Sequence, residues 1–124
     1  MARNLAVWGA SLAFLAVALG AFGAHGLRER LTTESMAIYQ TGVQYHMIHA
    51  LGLLALAGLG ERVKRAAVVG WLFVFGVLIF SGSLYLLAIT GQRWLGAITP
   101  LGGVCFLVGW AMFAVGAYHR DSTK

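Results

Sequence analysis

Long apolar stretches separated by short polar breaks make up this chain, and four such stretches fall at about residues 5–24, 41–59, 66–90 and 95–118. The first contains no charged residue, and the second is interrupted only by Gln44, His46 and His49. Each has roughly the 20 residues that an α-helix needs to cross about 30 Å of hydrocarbon. Barrel strands would need only about ten residues each, in an apolar and polar alternation absent here. Where no water can satisfy free backbone groups, helices are the remaining solution. The pattern therefore predicts an all-α fold, a four-helix transmembrane bundle forming a single integral membrane domain over residues 1–124.

Between the first and second spans the pattern predicts a short interfacial helix. Thr32 and Thr33 suit a helix N-cap, Glu34 suits the positive end of the helix dipole, and Met36, Tyr39 and Val43 follow at helical spacing. A helix unbroken from residue 33 to 59 would be about 40 Å long, more than the hydrocarbon requires. Its first turns are expected at the outer interface, with Gly42 permitting a bend. The first span, preceded by Arg3 and ending near Ala21-Phe22-Gly23, has some features of a signal peptide. Its apolar stretch exceeds the usual core of about 7–15 residues, so it is expected to stay as a helix.

Composition sharpens this picture. Hydrophobic residues make up 60% of the 124 and charged residues 10%, against about 45–50% and 25% in soluble domains. That excludes an ordinary water-soluble fold, and a single cysteine, Cys105, excludes a disulfide scaffold. The net charge of +5 comes from nine Lys and Arg spread along the chain, with no basic and aromatic cluster to hold nucleic acid. The bilayer is the expected partner instead. Arg3, Arg62, Lys64, Arg65, Arg120 and Lys124 fall on one side of such a topology and Arg28, Arg30 and Arg93 on the other, which predicts cytoplasmic termini.

Seventeen glycines need a reason, because glycine weakens an isolated helix. In lipid it lets helix backbones approach closely. Gly102, Gly109 and Gly116 repeat every seven residues, as do Gly9, Ala16 and Gly23, whereas Gly70, Gly76 and Gly82 repeat every six. Such seams serve either a homo-oligomer face or packing within one bundle. The second is expected first, because each span must find its own neighbours.

No Asp, Glu, Lys or Arg lies inside a span, so a carboxylate relay or an arginine row is missing. The topology gathers His25, Gln44, His46, His49, Ser81, Ser83, Tyr85 and Thr99 into the outer half of the membrane as a candidate polar pocket. His46 and His49 stand at i and i+3 and share a face. With His25 they would make a three-histidine set suited to zinc or copper, or a haem site. The alternative is hydrogen bonding across helices to Ser81, Ser83 or Tyr85, which most polar groups in lipid adopt. No cofactor is therefore predicted. Pro100 and Cys105 read as structural, and the glycine-rich stretch from Gly20 to Gly26 as a helix exit.

Four blocks carry a resemblance. Gly20-Ala-Phe-Gly-Ala-His-Gly-Leu27, Gln44-Tyr-His-Met-Ile-His-Ala-Leu51, Phe80-Ser-Gly-Ser-Leu-Tyr-Leu-Leu87 and Trp94-Leu-Gly-Ala-Ile-Thr-Pro-Leu-Gly-Gly103 resemble the signature blocks of the YgdD/YwdK-like family. These are small bacterial inner-membrane proteins with a eukaryotic relative called transmembrane protein 256. The resemblance implies a multi-pass protein of the plasma (inner) membrane and assigns neither a reaction nor a ligand residue.

Three function classes remain, in this order. The first is a protein without enzymatic chemistry that works by helix association, as a homo-oligomer or as an accessory subunit of a membrane complex. The second is a small carrier or channel for a proton, metal ion or small solute, using the polar cluster. The third is a redox protein holding haem, copper or quinone on its histidines.

Overall fold

The computed structural model describes residues 1–119. Arg120 and Lys124, counted above toward the orientation, lie outside the described residues. Five α-helices account for most of the rest: α1 (Ala2–His25), α2 (Thr33–Leu59), α3 (Ala66–Gly76), α4 (Gly82–Thr90) and α5 (Thr99–Tyr118). A π-helical turn, Val77–Ser81, joins α3 to α4 in one continuous rod. Short 3-10 turns, Gly60–Arg62 and Arg93–Ala97, fill the connections. The four rods, Ala2–His25, Thr33–Arg62, Ala66–Thr90 and Arg93–Tyr118, are each long and apolar enough to cross a membrane.

Local chemistry sets the ends. The Thr32 hydroxyl accepts from the Ser35 backbone N–H at 3.0 Å, with Glu34 in the first turn of α2, so the predicted cap forms. α4 stops at Gly91, whose φ of 73° is left-handed and whose N–H bonds back to the Leu87 carbonyl. Pro100 falls in the first turn of α5, where a missing N–H breaks no helical bond.

The expected interfacial helix differs from what forms. Among the described residues no separate helix precedes α2; residues 26–32 make turns, and α2 runs unbroken from Thr33. Thr32 caps this helix directly, so the stretch read as interfacial is its first turns. Helical bonding also continues through Gly42. Glycine at that position admits the Tyr85 ring, which a Cβ would meet at 2.9 Å.

The two middle rods form the centre of the bundle: 39% of an apolar 18-residue stretch of each is buried, against 22% for the like stretch of α1 and 17% for that of the last rod. α1 packs along α2, and α5 packs along α3 and the π turn. Leu53, Leu56, Val69, Phe73 and Val74 form the apolar core between them. Glycines and large side chains meet in pairs. A Cβ at Gly76 would strike the Phe106 ring, one at Gly70 the Leu5 side chain, and one at Gly109 the Phe73 ring. The seven-residue seam of α5 thus faces α3 and the turns beside it, and Gly9 and Gly23 of the first seam face Ala50 and Tyr39 of α2. Both seams serve packing inside one chain.

Gly102 is the tightest of these sites, because a Cβ there would run into backbone atoms of Phe80, in the π turn. Backbone cannot swing aside as a side chain can. Gly102→Ala should destabilise the bundle by about 1–3 kcal/mol. Gly58→Ala, where a Cβ meets nothing within 4 Å, should be neutral or gain up to about 1 kcal/mol. Denaturation of the two variants in detergent checks the contrast; equal effects would contradict it.

Candidate functional site

The polar side chains within the rods are brought together from α2, the π turn, α4 and α5. His49, on α2, is almost fully buried. The indole Nε1–H of Trp110, on α5, donates to its Nε2 at 2.8 Å. An indole only donates, so that ring nitrogen carries no proton. The proton is therefore on Nδ1, which lies 2.7 Å from the Tyr45 carbonyl one turn earlier and donates to it. Both nitrogens are engaged. The Phe106 ring lies face to face with this imidazole, centroids 3.5 Å apart and planes within 9°, and Phe73 meets it edge-on.

His46, one turn earlier on the same helix, is 3% exposed. Its Nδ1 lies 2.8 Å from the Tyr85 hydroxyl of α4. Its Nε2 is buried and has no hydrogen-bond partner among the described residues. The Tyr85 ring also packs against Tyr39, with centroids 5.2 Å apart. The Tyr39 hydroxyl in turn donates to the Leu19 carbonyl of α1 at 2.6 Å.

The hydroxyls close the rest. The Ser81 hydroxyl, fully buried in the π turn, donates to the Gly42 carbonyl at 2.7 Å. A π turn holds about one residue more than an α turn and so rotates the chain beyond it. Here it sets Ser81 toward α2 and Ser83 toward α5. Ser83 is 2.6 Å from the Thr99 hydroxyl and also donates to the Phe80 carbonyl at 2.9 Å.

Of the eight residues singled out in the sequence, the structure groups His46 with Tyr85, and Ser83 with Thr99, and ties Ser81 to α2. His25 stands apart, exposed in the last turn of α1. Gln44 is exposed on the outer surface of α2. Among the described residues no three His, Cys, Asp or Glu side chains gather as a metal would require, and His49 has no lone pair to give. His49 lies about 24 Å along α2 from Thr33 and about 15 Å from Leu59, level with Phe73 of α3.

Sequence reasoning missed Trp110, Tyr39 and the carbonyls of Gly42, Tyr45 and Leu19. Trp110 had a usable signal: a tryptophan well inside a span, away from the interfaces where the ring usually sits, carries an N–H that needs a partner.

Trp110→Phe should cost about 1–3 kcal/mol, because it strands a buried ring nitrogen. Adding His49→Leu should recover at least half of that loss, since removing both partners removes the stranded group. Detergent denaturation of the single and double variants measures this coupling, and simple additivity would contradict it.

A family model described as a protein of unknown function, DUF423, matches residues 19–103. A UPF0382 membrane protein of Bacillus subtilis strain 168, YwdK, is 50% identical over 114 residues, covering 90% of this chain and 93% of its own. A UPF0382 membrane protein of Staphylococcus saprophyticus is 47% identical, covering 90% and 94%. The UPF0382 inner membrane protein YgdD of Escherichia coli K12 is 42% identical over 118 residues, covering 93% and 89%. No solved structure matches. With four membrane-length apolar helices and similarity that runs through both histidines of α2, the chain belongs to the DUF423/UPF0382 family of membrane proteins.

Proposed function

We propose that this protein carries out no chemistry of its own and acts by helix association in the inner membrane, with its termini in the cytoplasm. It does so as a homo-oligomer or as an accessory subunit of a membrane complex. The observation that carries this reading is the contrast between the inner and outer polar side chains. Inside, the Ser81, Ser83, Thr99, Tyr85 and His49 groups bond within the bundle. Outside, Gln40 and Gln44 stand one turn apart on the exposed face of α2 and make no hydrogen bond within the described residues.

An amide exposed to hydrocarbon gains by bonding to a neighbouring helix, at about 0.6 kcal/mol and up to about 1.7 kcal/mol. Gly20, Gly23 and Ala24 of α1 lie beside the two glutamines and line a groove of about 240 Å³ with them. Small residues next to polar ones are the combination that membrane helix contacts use. The connections between rods are short, which leaves the bilayer-facing surface as the main area for contact.

The test pairs two measurements. Fluorescence transfer between differently labelled copies in liposomes reads self-association, and purification from native membranes reads a partner subunit. Wild type should show one or the other, and Gln40→Leu with Gln44→Leu should weaken it about five- to tenfold, as two bonds of this size require. A strictly monomeric wild type that brings down no other membrane protein would overturn the reading.

A further inference from the structure

One end of the bundle is set apart by charge. The α5 terminus and the turn between α2 and α3 meet there, because the Lys64 N–H donates to the Gly116 carbonyl at 3.1 Å. A Cβ on Gly116 would lie 2.5 Å from the Lys64 carbonyl, so the turn is pressed directly onto the helix. α1 begins at the same end, since Leu5 fills the space beside Gly70 of α3. Among the described residues, Arg3, Arg62, Lys64 and Arg65 gather there against the single carboxylate of Glu61. None of these four cations has an ion pair within the described residues.

Between this turn and α5 lies a cleft of about 350 Å³, lined by Lys64, Arg65, His119 and, along α5, Ala111, Met112, Val115 and Gly116. Its chemistry is graded. The two cations stand on the turn, at the membrane edge, while Ala111, Met112 and Val115 form an apolar wall that runs along α5 into the span. Arg65 is moreover the only non-glycine residue with positive φ among the described ones, at 58°. Glycine or asparagine would hold that left-handed turn more easily. A cation kept in a disfavoured backbone conformation is the sort of feature that accompanies a binding role.

We propose that this cleft binds an anionic phospholipid. The lipid phosphate lies between the Lys64 ammonium and the Arg65 guanidinium, and an acyl chain follows the wall of Met112 and Val115. Charge complementarity selects the headgroup: two cations at the mouth, without an ion pair among the described residues, favour a lipid with net negative charge over a zwitterionic one. The order of charge above apolar wall matches the order within a single phospholipid, which neither a free anion nor a soluble acidic protein reproduces.

The experiment measures lipid retention by the full chain in detergent, by native mass spectrometry, with phosphatidylglycerol, phosphatidylcholine and inorganic phosphate as probes. Phosphatidylglycerol should be retained about tenfold better than phosphatidylcholine, and excess inorganic phosphate should not displace it. Arg65→Gly removes the charge while relaxing the backbone, so the fold is kept; it and Lys64→Gln should each lower phosphatidylglycerol retention about threefold or more. Arg93→Gln, at the opposite end, should leave retention unchanged. Equal retention of the two lipids, displacement by inorganic phosphate, or equal loss with Arg93→Gln would overturn the proposal.

Discussion

Inside a bilayer a polar side chain has no water to bond to, and that constraint organises this molecule. The rods are otherwise apolar on every side, so hydrophobicity alone sets neither their order nor their rotation. The bonds that cross between rods do so instead. Ser81 to the Gly42 carbonyl and Tyr85 to His46 tie α2 to the third rod, Trp110 to His49 ties α2 to α5, and Tyr39 to the Leu19 carbonyl ties α2 to α1. Helix α2 takes part in each of these four, and Ser83 with Thr99 ties the third rod to the last. Each bond is worth only about 1 kcal/mol, yet leaving one end unpaired costs more than the bond itself contributes, so the set specifies one arrangement.

Packing completes what the bonds begin. Lipid tails are as apolar as the core, so association depends on close contact rather than on escape from water. Aromatic rings opposite glycines supply that contact: Tyr39 against Gly23, Tyr85 against Gly42, Phe106 against Gly76 and Phe73 against Gly109. Several of the same residues serve both purposes, with Tyr39 and Tyr85 filling glycine gaps and making hydrogen bonds. Phe106 also covers the face of His49, sealing that imidazole from lipid.

Much of the architecture could be read from the residues. The length of the apolar runs gives four rods, and Thr32 with Glu34 gives the start of the second. The antiparallel course of the rods already places His46 near Tyr85 and Ser83 near Thr99. What could not be read is rotation. A helix apolar all round carries no periodicity to separate its lipid face from its bundle face, so Gln44 and His46 look alike in sequence although one faces outward and the other is buried. The π turn was equally invisible, because no residue in Val77–Ser81 announces it; it arises where Gly102 brings the α5 backbone against Phe80.

The interior thus reads as a structural lock, and the amides along α2 and the cations at the Lys64 turn are where we propose that the protein meets other molecules. This division rests on His49 being held by donors and acceptors of its own chain. Nitrogen-15 magnetic resonance of the imidazole rings in lipid bilayers tests that point most directly. The account predicts His49 protonated at Nδ1, with Nε2 bare and coupled through a hydrogen bond to the Trp110 indole. A proton on Nε2, or an indole N–H of Trp110 bonded elsewhere, would contradict it.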